Sequence, residues 1–267
     1  LVDETAATGA RRLITTLLQR RAYQAFERIV VSSEVMASQL SALSARPERV
    51  QIIQNGVDLR RFHPPASSLE RTRFRSELGV AATEPVVLFV GGILPRKGVD
   101  VLLQAWHRVA ERYPQAWLIL VGSRHEDQSK HRTFRAKIDS LIATSPAPER
   151  VVLTGVVPNV EDYLRAADLF VFPSLREGMP NVVPEAMASA LPCILTPFAG
   201  LPREFGQPGE PGALATAILD LLDSADRRRA IGGRARVWAE RHLNVDTSLD
   251  RFAALYQALA HVEAGVE

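Results

Sequence analysis

Seven short apolar runs, separated by stretches of helical periodicity, restrict what this chain can fold into more than any other feature does. They are Arg28 to Val31, Val50 to Ile53, Val86 to Val90, Trp117 to Val121, Val151 to Leu153, Leu169 to Phe172 and Cys193 to Thr196. Hydrophobicity that is continuous rather than alternating marks strands covered on both faces. Between the runs lie patterns such as Val99, Leu102, Leu103, Trp106, Val109 and Ala110, whose spacing gives a helix one apolar stripe to lay on a sheet. Strand and helix in regular succession specify an α/β fold with parallel sheets. Such folds bind ligands beyond the carboxyl ends of their strands, where the strand order reverses, so the strand-to-helix loops are where chemistry is expected.

The alternation breaks once, between Asn55-Gly56 and Pro64-Pro65, where an Asn-Gly turn and a double proline predict a connector. Upstream, helix Leu13 to Phe26 and helix Glu34 to Leu43 accompany two strands, part of a doubly wound sheet. Downstream, Val86 to Leu222 supplies five strands with their crossovers, enough for a domain of common size. Two more helical segments follow, Asp226 to His242 and Asp246 to His261. In 267 residues, 46% hydrophobic and 23% charged content excludes a disordered chain, and 32 basic against 30 acidic residues leave no cationic field to select nucleic acid. The single cysteine, Cys193, sits in an apolar run, so a buried inert thiol and a reducing, cytoplasmic setting are expected. No apolar run approaches the ~20 residues that cross a bilayer. The chain begins with Leu1, which suggests a start inside a longer product.

Two constellations carry chemistry. In the first, strand Val86 to Val90 runs into Gly91-Gly92-Ile93-Leu94-Pro95-Arg96-Lys97-Gly98 and then a helix near Val99. Glycines permit close approach of a ligand, and Arg96 and Lys97 at a helix start suit a diphosphate. The loop lacks the order of a P-loop and the three spaced glycines of a dinucleotide site. A tight turn with two solvated cations is the plainer reading. In the second, Glu177-Gly178-Met179-Pro180-Asn181-Val182-Val183-Pro184-Glu185 follows strand Leu169 to Phe172. On one helix the two carboxylates would stand ~80° apart, so a loop followed by a helix capped by Asn181, with Pro184 in its first turn, fits better. Glu177 then stays in the loop and Glu185 enters the helix. Carboxylates accept paired hydrogen bonds, as sugar and ribose hydroxyls require; for the pair taken alone, a loop cap at Glu177 and a solvated helix residue at Glu185 is the plainer reading.

Weaker signals surround these. Thr154-Gly155-Val156-Val157 places a glycine where a planar base could approach the backbone. His125 and His131 flank a polar loop without ligand spacing, and no Asp-x-Asp occurs, so no metal site is expected. Arg227-Arg228-Arg229 opens a helix as its wet face. The basic helix Arg11 to Arg28 could touch acidic lipid, a peripheral membrane association, although packing on its own sheet accounts for it as well.

The order of these pieces resembles the retaining glycosyltransferases of the GT-B fold, in particular glycosyltransferase family 4. Glu177 to Glu185 matches the family's E-x7-E element, Lys97-Gly98 its donor-phosphate loop, Thr154 to Val157 its base loop. Asn55-Gly56-Val57-Asp58 resembles the interdomain connector, and Ser32-Ser33-Glu34 the last turn of the acceptor domain. The resemblance implies a GT-B-type Rossmann-like parallel-sheet domain plus an incomplete second Rossmann-like domain. Residues 1–57 would be a remnant of the acceptor domain with the connector, 58–245 the donor-binding domain, and 246–267 a helix returning toward the N-terminal part. It further implies that Glu177 engages the donor sugar and Glu185 the ribose. Lys97, with Arg96, Gly91 and Gly92, would hold the diphosphate; Gly178, Met179, Pro180 and Asn181 would line phosphate and sugar; Val156 would face the base. Glu177 and Lys97 would be the catalytic pair. The substrates implied are a nucleotide-diphosphate sugar and a glycan, lipid-linked or small-molecule acceptor, with no metal or other cofactor. Three departures stand out: the family's arginine five residues before the lysine is Gly92 here, an edge strand looks lost near Gly200 to Glu210, and the acceptor domain is represented only by its last part, residues 1–54, without the segment that normally supplies the acceptor pocket. A module that binds nucleotide sugar without transferring it, or with a partner, is the first rival reading, and a sugar-nucleotide epimerase, which shares fold and donor but lacks the Glu-to-Glu element, is a lesser one.

Overall fold

A computed structural model describes residues 9–43, 46–125, 128–196 and 210–264. The chain opens with α1 (Gly9–Ala25), β1 (Ile29–Val31), α2 (Glu34–Leu43) and β2 (Val50–Ile52). The connector leads to α3 (Ser68–Glu77), β3 (Val86–Val90), α4 (Val99–Arg112) and β4 (Trp117–Val121). Then come α5 (Arg132–Ala143), β5 (Val151–Gly155), α6 (Val160–Ala166), β6 (Leu169–Phe172), α7 (Val182–Ala188) and β7 (Cys193–Leu195). Three helices close the chain: α8 (Pro211–Leu222), α9 (Ala225–His242) and α10 (Val245–Ala264). Gly200 to Gly209, where an edge strand looks lost in the sequence, lies outside the described residues.

Both sheets are parallel. β1 pairs with β2, and the larger sheet runs β5-β4-β3-β6-β7. The chain winds outward from β3 to β5, then crosses back to lay β6 on the other side of β3, so the order reverses between β3 and β6. That reversal is the switch point at which α/β sheets bind ligands. β3 and β6 are buried throughout, which is why their sequences read as unbroken apolar runs. The stripe of α4, from Val99 through Ala110, is at most 1% exposed and packs with α5 and α8.

Where the connector crosses between the sheets, Val57 N–H donates to Leu243 O at 2.7 Å and Val245 N–H to Val57 O at 3.1 Å. α10 reaches the smaller unit through Ser248 Oγ, which donates to Gln54 O at 2.9 Å. Arg228 departs from the wet-face expectation. Its neighbours Arg227 and Arg229 are exposed, but Arg228 turns inward, and its Nη1 donates to the last carbonyls of α8, Leu221 O at 2.6 Å and Leu222 O at 2.8 Å. Carbonyls at a helix end lack partners within the helix, and a guanidinium answers two of them.

Candidate functional site

The loops after β3 and β6 meet at the switch point. A 3-10 turn, Pro95–Lys97, brings the chain to Gly98, whose φ of 67° is left-handed. A Cβ on Gly98 would stand 2.1 Å from Pro173 O, so glycine alone lets one loop close on the other. Leu175 N–H donates to Arg96 O at 2.8 Å, which fastens the loops through their backbones.

Glu177 and Lys97 converge from opposite sides of that seam. Lys97 Nζ donates to Glu177 Oε1 at 2.6 Å, Ser174 Oγ stands 2.7 Å from the same oxygen, and Arg96 Nη1 donates to it at 3.0 Å. The Lys97 and Glu177 side chains are 12% and 10% exposed, which shields their pair from the screening that weakens surface ion pairs. The Lys97 ammonium also stands 4.9 Å from the centre of the Phe172 ring, a favourable cation–π distance. Among the described residues every contact to this carboxylate falls on Oε1, and Oε2 stays available as an acceptor.

Beyond Glu177 the chain threads Gly178, Met179, Pro180 and Asn181 into α7. Among the described residues the amide N–H groups of Gly178, Met179 and Asn181 have no acceptor. Asn181 holds the cap position of α7 but does not cap it. Its backbone is already helical, φ −58° and ψ −35°, and a side chain there cannot reach back to the first free amides. Asn181 Oδ1 instead accepts from Asn55 Nδ2 at 2.8 Å, a contact from the connector. A Cβ on Gly178 would meet Met36 Sδ of α2 at 3.2 Å. The connector and the smaller unit therefore each touch this loop, through Asn55 and Met36.

Glu185, one turn into α7, is flanked by charges from two distant segments. Burial pushes its carboxyl above the ordinary glutamate range, the Arg61 guanidinium works against that rise, and the Glu161 carboxylate works with it. Arg61 Nη2 donates to Glu161 Oε2 at 2.9 Å and to Pro158 O at 3.4 Å. No local sequence signal joins this pair, although Arg61 lies within the connector and Glu161 follows the Val156 loop. Val156 itself is 78% exposed. At the first loop, Gly91 N–H donates to Val121 O at 2.8 Å. The flank of Gly92 is taken by His125, since a Cβ there would lie 2.8 Å from its Nε2. His125 is half-buried, and its φ of 50° is left-handed. No three described His, Cys, Asp or Glu side chains group as metal ligands would. No helix among the described residues is long and apolar enough to cross a membrane. Cys193 is a buried free thiol, and burial pushes its pKa up.

Known proteins share these features of sequence and fold. D-inositol 3-phosphate glycosyltransferase of Segniliparus rotundus is 30% identical over 246 residues, 87% of this chain and 52% of that protein. Sucrose-phosphate synthase of Thermosynechococcus elongatus superposes with a TM-score of 0.80 at 26% identity, covering 98% of this chain and 65% of that one. Anabaena HepE, solved in complex with UDP-glucose, superposes with a TM-score of 0.79 at 22% identity, covering 92% and 68%, a likeness of fold. This chain spans about half the length of the curated relative it matches. The family model "Glycosyl transferases group 1" matches residues 84–224, which run from the strand before the Lys97 loop to the end of α8. With its GT-B-like α/β architecture, the chain belongs to the group 1 glycosyl transferases.

Proposed function

We propose that the chain holds the donor site of a retaining glycosyltransferase, which takes a sugar from a nucleotide-diphosphate sugar and passes it to a glycan, lipid-linked or small-molecule acceptor. The observation that carries this reading is the Lys97–Glu177 pair, 2.6 Å apart and nearly enclosed at the switch point of the sheet. In it a cation suited to a diphosphate and an anion suited to sugar hydroxyls share one seam. An arriving donor draws Lys97 onto its phosphates and leaves Glu177 free to accept from the sugar. The free amides of Gly178, Met179 and Asn181 serve the same phosphates and sugar, Glu185 the ribose, and the exposed Val156 loop the base. Gly91, Gly92 and Pro180 shape the backbone around them.

As the glycosidic bond to the diphosphate breaks, negative charge grows on the leaving oxygen. Lys97, Arg96 and fixed amide dipoles stabilise it, a contribution of several kcal/mol where water is excluded. No metal ion enters this reading. The acceptor attacks from the face that the diphosphate leaves, which retains the anomeric configuration. The neighbour crystallised with UDP-glucose supports a uridine donor as the first to try.

Titration of UDP- and GDP-sugars into the wild-type chain and Glu185→Ala tests the assignment. Loss of a charge-assisted hydrogen bond of ~1.5–3 kcal/mol predicts affinity about ten- to hundredfold weaker in the variant, and equal affinities would sink it. The rival reading is a module that binds donor without transferring it. Release of nucleoside diphosphate in the presence of acceptor separates the two.

A further inference from the structure

β6 and β7 have a second pole. At their amino ends, opposite the loops that carry Lys97 and Glu177, a cavity of about 260 Å³ opens between α3, α6, the turn after α7 and the start of α9. Its charged and polar lining is Arg71, Arg165, Asp168, Ser189, Arg228 and Arg229. Four guanidiniums face one carboxylate. That carboxylate is already committed: Asp168 Oδ1 accepts from Arg71 Nη2 at 2.6 Å, and its Oδ2 from Arg75 Nη2 at 2.5 Å and Val86 N–H at 2.8 Å.

The remaining ion pairs do not neutralise the site. Asp162 answers Arg165 and Asp226 answers Arg229, whereas Arg228 has no acidic partner among the described residues. Five guanidiniums, with Arg75 included, therefore meet three carboxylates and leave two positive charges over. Nη1 of Arg228 is used on the α8 carbonyls, and Nη2 of Arg71 on Asp168 and Ala167 O. Among the described residues the other nitrogens of these two side chains have no acceptor. Repulsion among the cations is felt inside the fold: burial lowers the Arg75 pKa, Asp168 opposes the fall, and Arg71 and Arg228 deepen it. The remaining wall is largely apolar, which strengthens any charge interaction within.

The geometry points to a binding site for a small phosphate-bearing anion, held by Arg71, Arg228 and Arg229 and separate from the donor loops. The guanidinium fork matches phosphate oxygens two at a time. Ligand pockets commonly measure ~300–1,000 Å³, so a cavity of this size takes a phosphate or a small phosphate ester with water rather than a nucleotide sugar. A bound anion supplies the negative charge that Asp162, Asp168 and Asp226 do not.

Calorimetric titration of the full chain with inorganic phosphate, pyrophosphate and a hexose 1-phosphate, each against chloride at equal ionic strength, tests the site and ranks its ligands. Because the donor loops also carry a cation suited to phosphate, the titrations are run in the Lys97→Ala background, where binding at this pole is expected to persist, and each further substitution is added to that background. Arg228→Met is expected to bind about tenfold more weakly or worse. Should that variant fold poorly, Ala225→Glu serves instead: a carboxylate in the first turn of α9 suits the helix yet repels an anion at the rim, and the same loss is expected. Binding no better than chloride, unchanged binding in both variants, or binding abolished by Lys97→Ala would each overturn the inference.

Discussion

Glu185 carries its charge against the preference of its surroundings. Burial raises its pKa above the ordinary 4.5, and only Arg61 restrains the rise. A protonated carboxyl accepts fewer hydrogen bonds than a carboxylate, so donor affinity is expected to fall on acidification at a pH above 4.5. Arg61→Leu removes the restraining cation and leaves Glu161 uncompensated. Both changes push the same way, toward loss of affinity at a higher pH. Dissociation constants measured across pH for both proteins check this, and superimposable profiles would separate Arg61 from the site. At this scale the sequence is partly legible. Lys97-Gly98 and the Glu177-to-Glu185 segment announce themselves through glycine, charge and spacing. Arg61 and Glu161 stand a hundred residues apart, and no local pattern joins them. Asn181 shows the opposite failure, a residue of the right type at the right place whose backbone is already helical and whose side chain serves another segment.

Among the elements, β3 and β6 start from one anchor. Asp168 precedes β6 and accepts the first N–H of β3, while Arg75 of α3 binds Asp168 and donates to Ala166 O at 2.9 Å, Ala82 O at 2.7 Å and Glu84 O at 2.9 Å. Burial opposes the Asp168 charge, yet Arg71 and Arg75 hold the carboxyl below its ordinary 3.8. A depressed folded-state pKa stabilises fully above 3.8 and progressively less as pH falls below it. Asp168→Asn is expected to lose about 3–5 kcal/mol, the cost of breaking a buried pair from one side. Denaturant unfolding checks the loss, and the wild type's lead should shrink in acid; a lead unchanged there would contradict the account. The five strands are legible because a parallel sheet buried on both faces needs unbroken apolar runs. α3 is not, because Ser68–Glu77 is nearly all polar and its buried members are Phe74 and Arg75. A buried arginine reads in sequence as a surface charge, and Arg228 deceives in the same way.

For the molecule as a whole, the decisive place is where the chain passes between its two sheets. Asn55-Gly56 is visible in the sequence as a break in the alternation. Its partner is not, since Val57 pairs with Asn244, 187 residues further along the chain. A Cβ on Gly56 would lie 2.3 Å from Val245 Cα, backbone that cannot swing aside as a side chain would. Gly56→Ala is therefore expected to cost ~1–3 kcal/mol and to quicken proteolysis around the connector. An unchanged denaturation midpoint would show that the passage is looser than its geometry. The passage is also doubled: the polypeptide goes over at Val57 and returns at Val245, and the two strands of traffic are bonded to each other. A single tether would let the smaller body swivel in any direction. Two bonded tethers behave as the pin of a door, which leaves one sense of swing cheap, toward or away from the loop that Asn55 and Met36 already touch.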